Sequence, residues 1–491
     1  MTNTLELRAF GKNDIRGIYG EDVTEELFFY AAKGYIRFIE ENSGIPAKDI
    51  WVSVARDVRL HSEPLTKSLI KGVTSTGANV IDIGIVPTPL GYFSEFAQIP
   101  SDVIGSGKIS GALIVTASHN PSEYNGLKMT FNKASLSEEQ IKEVKQFTLE
   151  EVNARESSYR HGISKKFSIL DLYTENIINK FVMMGKGIKV VVDSGNATGG
   201  IVAPGLYREL GCEVVELFSE PDGTFPNHHP NPSDEKTLDA VKKKVVEEKA
   251  DFGIAFDGDS DRIGVIDSQG NSLTGDKLLL IYAMDIIDEL SKRGEKPTIV
   301  SEVKCSQVLY DTIDANGGNA VMCKTGHGYI KSKMKEVNAI LGGEMSGHIF
   351  FKDRYYGFDD AIYAGCRIIE IVAKHKLNNP DFKIEDLLTP FKQVFTSKET
   401  RFRCPNEYKA PVLEGLEKTI RKTPDFFKTN IKDIITLDGM RIVLDDGFAM
   451  IRQSNTEPVF TLRFEAKSEE NCKRYEKAMI DLLDSIVKKY V

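Results

Sequence analysis

Hydrophobic positions along this chain run through one pattern three times: a short, mostly apolar run, a stretch with apolar residues three or four apart, and a Gly-x-x-Val tetrapeptide opening a second apolar run. In the first round residues 50–54 form the apolar run, Leu65, Leu69, Ile70 and Val73 mark one helix face, and Gly77-Ala78-Asn79-Val80 starts the return. In the second, residues 188–192 lead to Gly211-Cys212-Glu213-Val214; in the third, residues 298–303 lead to Gly318-Asn319-Ala320-Val321. Mostly apolar runs joined by amphipathic helices predict buried strands of parallel or mixed sheets with right-handed crossovers. The repeat speaks for architecture and is silent on activity.

The last hundred residues depart from this pattern. Asp446-Gly447 predicts a hairpin turn between residues 440–444 and 448–451. A closing helix follows, capped by Ser468, with Glu469 and Glu470 in its first turn and Cys472, Tyr475, Met479, Leu482 and Ile486 on one face. The polar stretches 157–166 and 377–383 are the linker candidates. The predicted fold class is therefore α/β, with three repeated mixed α/β domains (1–163, 164–270 and 271–383) followed by a C-terminal α+β domain (384–491). The boundary near 270 has no compositional mark.

Composition narrows the function classes. A chain of 491 residues with 41% hydrophobic and 27% charged content can bury several cores, which excludes disordered, collagenous and membrane-spanning classes. Lys+Arg 63 against Asp+Glu 72 leaves a net charge of -9, so nucleic acid and anionic membrane are not expected partners, and an anionic substrate needs local basic groups. The six cysteines are scattered without a Cys-x-x-Cys pair, arguing against a zinc ribbon or a disulfide framework and fitting a reducing cytoplasm. No basic-then-apolar leader opens the chain, so a cytoplasmic location is expected.

Four loops carry chemistry. Ser118, in Thr116-Ala117-Ser118-His119-Asn120-Pro121, directly follows the apolar run 111–115, which predicts an exposed hydroxyl at a strand end; an ordinary Ser/Asn/Pro turn is the other reading. Asp257-Gly258-Asp259-Ser260-Asp261-Arg262 lies between apolar runs 252–256 and 263–266, and alternating carboxylates in a tight loop suit a hard cation such as Mg²⁺. An EF-hand fails, because Arg262 and Ser268 stand where Gly and Glu are required, while a solvated acidic turn stays open. Gly343-Glu344-Met345-Ser346-Gly347-His348 offers groups that hydrogen-bond vicinal sugar hydroxyls, or that satisfy each other when buried. Arg452-Gln453-Ser454-Asn455-Thr456-Glu457-Pro458 offers a guanidinium fork with hydroxyl and amide donors for a phosphate, or a polar turn. His228-His229, between Pro226 and Pro230, reads as a rigid surface loop without a metal.

Taken in order, the four loops resemble the α-D-phosphohexomutase superfamily, phosphomannomutase/phosphoglucomutase branch. Asp14-Ile15-Arg16-Gly17, Ala55-Arg56-Asp57-Val58-Arg59, Tyr124-Asn125-Gly126-Leu127-Lys128, Pro221-Asp222-Gly223-Thr224-Phe225-Pro226, Val303-Lys304-Cys305 and Thr325-Gly326-His327-Gly328 extend the match over nearly the whole chain. The resemblance implies four domains around a central active-site cleft, phosphate carried on Ser118, and one Mg²⁺ held by Asp257, Asp259, Asp261 and a phosphoserine oxygen. It further implies reversible transfer between the 1- and 6-positions of mannose or glucose phosphates through a hexose 1,6-bisphosphate, which also acts as activator. Lys128 and His327 are the implied proton-transfer groups, with His348 a further candidate, and Arg262 the implied contact to the transferring group. Glu344, Ser346 and His348 would read the sugar, Arg452, Ser454, Asn455 and Thr456 its distal phosphate, and Arg16 and Lys304 would contact substrate. A hinge before the last segment would let the intermediate turn over. The expected partners are small hexose phosphates, and the expected state a monomer or weak homo-oligomer. Ser260, where phosphoglucosamine mutases usually carry Gly, ranks that activity second; a metal-dependent sugar phosphatase and a non-catalytic binder are rivals of other classes. Asn13 stands where the family often has Tyr, which weakens any inherited contact there.

Overall fold

The structure is a computed structural model describing residues 7–154, 161–181, 184–454 and 458–490. It forms two compact units, residues 1–274 with 346–384, and residues 275–345 with 385–491.

Within the first unit, one mixed sheet runs Ile15–Ile18, Tyr124–Phe131, Ile109–Val115, Trp51–Arg56, Asn79–Ile85, Ser164–Lys166, with Ala134–Ser135 beside Tyr124–Phe131. Trp51–Arg56 is parallel to both neighbours, as the first apolar round predicts, and Arg56 pairs with Ile85 and Val115. The Asp57 turn and the Ser118 loop therefore leave adjacent strands at their carboxyl ends, where open α/β sheets bind ligands. Helices Glu25–Ser43, Ser62–Ser75 and Glu138–Asn153 cover the sheet and bury its apolar face. The stretch 157–166 is not simply a linker. Its last residues, Ser164–Lys166, add a parallel edge strand to Asn79–Ile85.

A second sheet of this unit runs Ser272–Leu273, Ile263–Ile266, Phe252–Phe256, Lys189–Asp193, Glu213–Leu217. Phe252–Phe256 is parallel to Lys189–Asp193 and antiparallel to Ile263–Ile266, so residues 257–262 form the expected tight connection at a carboxyl end. Residues 346–384 also belong here, with the mostly buried helix Ala361–Asn378 capped by Asp360, whose carboxylate accepts the Tyr363 N–H at 2.9 Å.

The second unit holds the third predicted round as parallel strands Asn319–Cys323, Thr298–Glu302 and Leu341–Gly343. Its other sheet is antiparallel, from Ile431–Ile435 through Met440–Leu444 and Gly447–Gln453 to Val459–Ala466, with helix Glu469–Val487 capped by Ser468 as expected. The hairpin turn is Asp445-Asp446 rather than Asp446-Gly447, because Gly447 already pairs with Leu444. Arg441, fully buried, donates to the Val303 and Cys305 carbonyls at 2.5 and 2.8 Å and lies 3.7 Å from the Phe448 ring centroid. That clamp ties the last sheet to residues 275–345.

Candidate active site

Ser118 takes a left-handed backbone conformation, φ 51°, with its N–H donating to Thr116 Oγ1 at 2.9 Å. Its hydroxyl is not exposed as the sequence suggests. The residue is 2% exposed, and Oγ donates to Asp257 Oδ2 at 2.7 Å. The reason is the approach of the acidic loop: a Cβ on Gly258 would stand 2.3 Å from the Ser118 carbonyl oxygen, so only glycine lets the two loops meet.

Asp257, Asp259 and Asp261 are buried, each presenting a carboxylate oxygen within 4.8 Å of the others. The acidic loop is thus a converging cluster and not a solvated turn. Lys128 Nζ donates to Asp259 Oδ2 at 2.6 Å and to Asp261 Oδ2 at 2.5 Å. Burial disfavours that ammonium, but the two carboxylates outweigh it and hold Lys128 well above its ordinary range. Burial, then the charges of Asp261 and Asp259, pushes Asp257 well above the usual carboxylate range. Asp261 falls well below it: burial would raise it, yet Lys128 and His348 prevail. Asp259 Oδ1 is buried without a hydrogen-bond partner, while Asp261 Oδ1 lies 3.3 Å from His348 Nε2. An orphaned carboxylate oxygen facing two more carboxylates fits a divalent cation with oxygen ligands.

Arg262, Arg16, His348 and Ser346 join this cluster. Arg262 Nε donates to His348 Nε2 at 3.3 Å and lies 3.9 Å from Asp257 Oδ2, while Ser346 Oγ sits 3.1 Å from His348 Nδ1. Arg16 donates to Asn120 Oδ1 at 3.1 Å and pairs with Asp14; burial lowers its pKa, but Asp14 raises it further. His119, whose Nδ1 is 3.2 Å from Ser118 Oγ, is pushed down to about 2 by burial and by Arg262 and Arg16, so it is a neutral imidazole.

The second unit gathers the other candidates. Glu302 Oε1 accepts the Met345 N–H at 2.9 Å and lies 3.6 Å from Lys304 Nζ, which holds Lys304 beside the backbone following Glu344. Asp438 Oδ2 accepts Arg452 Nε–H at 2.8 Å and Thr325 N–H at 3.0 Å, tying the Arg452 loop to the turn before His327, the first residue of helix His327–Glu336. Lys409 Nζ donates to the Ser454 carbonyl at 2.8 Å. Asn455 and Thr456 lie outside the described residues.

Four models of the phosphoglucomutase/phosphomannomutase family match in chain order: alpha/beta/alpha domain I over residues 7–155, domain II over 171–270, domain III over 274–391, and the C-terminal domain over 399–482. The chain belongs to the phosphoglucomutase/phosphomannomutase family. A phosphomannomutase/phosphoglucomutase of Pseudomonas putida is 39% identical over 95% of this chain and 93% of that protein. A probable phosphoglucosamine mutase of Methanopyrus kandleri is 30% identical over 97% of this chain and 98% of that one. Among solved structures, a phosphoglucomutase/phosphomannomutase family protein from Burkholderia thailandensis has a TM-score of 0.85, with 34% identity and 98% of each chain covered.

Membership in this family gives the cluster around Ser118 a phosphoryl-transfer context and also exposes what sequence reasoning missed. Arg59 and His119 carry no role in the sequence reading, yet both touch the Ser118 loop. His228-His229 is not a surface loop: His228 Nε2 lies 3.0 Å from Asp193 Oδ2, and His229 bonds the His119 carbonyl. Burial lowers His228, but Asp193 overcomes that and raises it. A histidine pair between prolines gives no sequence sign of partners 35 and 110 residues away.

Proposed function

We propose that this chain moves a phosphoryl group reversibly between O1 and O6 of mannose or glucose phosphates, using Ser118 as the covalent carrier and a hexose 1,6-bisphosphate as intermediate. The Ser118 Oγ–H···Oδ2 Asp257 bond at 2.7 Å carries this reading, because it sets a nucleophilic oxygen against a converging carboxylate cluster. Asp257, Asp259 and Asp261 fit a Mg²⁺ ion, with an oxygen of phosphoserine as the further ligand, and the bound ion would offset phosphoryl charge.

In the forward direction a hydroxyl of the sugar monophosphate bonds to phosphorus as the bond from phosphorus to Ser118 Oγ breaks, and Oγ takes up a proton. The bisphosphate then turns over, Ser118 Oγ gives up its proton and bonds to the other phosphorus, and the bond from that phosphorus to the sugar oxygen breaks, the sugar oxygen taking up a proton as the isomeric monophosphate leaves. Lys128, held as an ammonium, stands on the proton-donating side, and Arg262 neutralises the group in flight. His327 is the proposed second proton-transfer group. Glu344 and Ser346 would hold the 3- and 4-hydroxyls in both orientations, with His348 beside Ser346. The fork of Arg452, with Ser454, Asn455 and Thr456, would take the distal phosphate, and Arg16 and Lys304 would complete the charge around the substrate.

We further propose the four-part division 1–163, 164–270, 271–383 and 384–491, a cytoplasmic monomer or weak homo-oligomer, and the bisphosphate as activator. No described helix is long and apolar enough to cross a membrane. Phosphoglucosamine mutase activity is the second reading, favoured by the Methanopyrus relative, although Ser260 stands between Asp259 and Asp261 where phosphoglucosamine mutases usually carry Gly.

Glucose, mannose and glucosamine 1-phosphates, each supplied with Mg²⁺ and a trace of bisphosphate, provide the test, with Ser118→Ala as control. Comparable turnover of the first two and almost none in the control is expected. Preferred turnover of glucosamine 1-phosphate selects the second reading, free inorganic phosphate indicates a phosphatase, and no change a binder.

A further inference from the structure

The main-chain oxygens of the serine loop are all held from behind. Arg59 Nη2 donates to the carbonyls of Ser118 at 2.8 Å and Asn120 at 2.6 Å, and Nη1 to those of Pro121 at 2.5 Å and Tyr124 at 3.1 Å. His229 Nε2 bonds the His119 carbonyl, His61 Nε2 the Ser122 carbonyl at 2.9 Å, and the Tyr19 N–H the Glu123 carbonyl at 2.9 Å. Every carbonyl from Ser118 to Tyr124 thus has a donor, and one guanidinium supplies four of the seven.

Arg59 is itself fixed. Its Nε donates to Asp57 Oδ2 at 3.1 Å, and its side chain is fully buried. Phe225 places its ring 5.4 Å from the guanidinium carbon. Gly223, two residues earlier, lets that loop press on the Arg59 turn, since a Cβ there would stand 2.3 Å from the Val58 carbonyl oxygen. His229 is steadied through its neighbour His228, paired with Asp193. Two sequence matches without an assigned role, Ala55-Arg56-Asp57-Val58-Arg59 and Pro221-Asp222-Gly223-Thr224-Phe225-Pro226, therefore meet at one structure, together with the histidine pair.

We propose that Arg59 and His229 are positioning residues for the reaction: they hold the loop so that Ser118 keeps its left-handed conformation and its oxygen stays on the Asp257 side. That conformation is strained for a residue other than glycine, so it persists only where its surroundings impose it. A rigid fork bonding several carbonyls at once imposes it, and a lysine ammonium at the same place cannot. Displacing a nucleophile by about 1 Å lowers rate on the order of 10²-fold without touching substrate affinity.

The inference rests on Ser118 as phosphoryl carrier, and its test separates the two. Steady-state kinetics with glucose 1-phosphate, and the rate at which hexose 1,6-bisphosphate phosphorylates the protein by intact mass, are measured for Arg59→Lys, His229→Ala and His229→Gln beside Ser118→Ala. Expected are a kcat and a phosphorylation rate down about 10²-fold in R59K and about 10-fold in H229A, with KM within about threefold of the parent. H229Q, whose amide N–H replaces Nε2–H, recovers most of the H229A loss. If R59K does not fold, the His229 pair decides. Undiminished rates in H229A, a rise in KM in place of a fall in kcat, or H229Q no better than H229A overturns the proposal. Loss in S118A alongside any of these leaves the carrier reading standing, whereas an active S118A removes both.

Discussion

The two units present their candidate phosphate-handling groups in different ways. Around Ser118 the charged groups are buried and interlocked: Asp259 and Asp261 share Lys128, Asp257 accepts from Ser118, and a single arginine bonds four carbonyls of the Ser118 loop. In the second unit, Arg452 and Lys304 remain partly exposed, each beside a carboxylate, Asp438 or Glu302. Bond making demands fixed atoms in a dry setting, whereas the proposed binding surface, which would accept either end of a bisphosphate, gains from donors still open to solvent. Burial, more than residue type, separates the two sets of candidate groups.

The largest effect that sharpens this contrast is expected from Asp259→Asn. It removes charge from the carboxylate whose Oδ1 has no hydrogen-bond partner, so kcat should fall about 10²-fold or more and the Mg²⁺ concentration for half activity should rise. A variant with normal kcat and unchanged Mg²⁺ dependence would mean that the cluster is structural. Arg452→Ala should act differently, raising KM for hexose 1-phosphate about 10- to 100-fold with a smaller change in kcat, as loss of a charged hydrogen bond made throughout the reaction implies. An equal fall in kcat at constant KM would break the division of labour between the units.

The smallest expected effect concerns what dense burial costs the first unit. Glu95 accepts the Lys133 N–H at 2.6 Å and a bond from Thr130, yet burial raises its carboxyl from 4.5 to about 7. A raised folded-state value means that the native protein holds this proton more tightly than the unfolded chain. Its contribution to stability therefore falls as pH rises from about 4.5 to about 7, by on the order of 3 kcal/mol, and then levels off. Glu95→Gln should flatten that part of the stability profile, measured by urea unfolding at several pH values. An unchanged slope would show that Glu95 is not its source.

Much of this was legible in the chain, for identifiable reasons. Mostly apolar runs announced the parallel strands, and the alternation Asp257, Asp259, Asp261 between two apolar runs put three carboxylates at one strand end. The burial of Ser118 was not legible, because the acceptor that covers it is 139 residues away and the close approach depends on the missing side chain of Gly258. Arg59 was invisible as a loop clamp because its acceptors are mostly main-chain carbonyls, which every residue possesses. His228 looked like surface for a similar reason, since nothing near it in sequence announces Asp193. The turn at Asp445-Asp446 slipped by one residue because Asp-Gly is the commoner hairpin signal, and here the glycine lies inside the strand.

Intact-mass analysis after incubation with hexose 1,6-bisphosphate and Mg²⁺ tests the central claim most directly. The account predicts one added phosphoryl group, mapped to Ser118, removed by excess hexose monophosphate and absent from Ser118→Ala. A protein that turns over hexose phosphates while never acquiring that group, or that acquires it equally in Ser118→Ala, would contradict it.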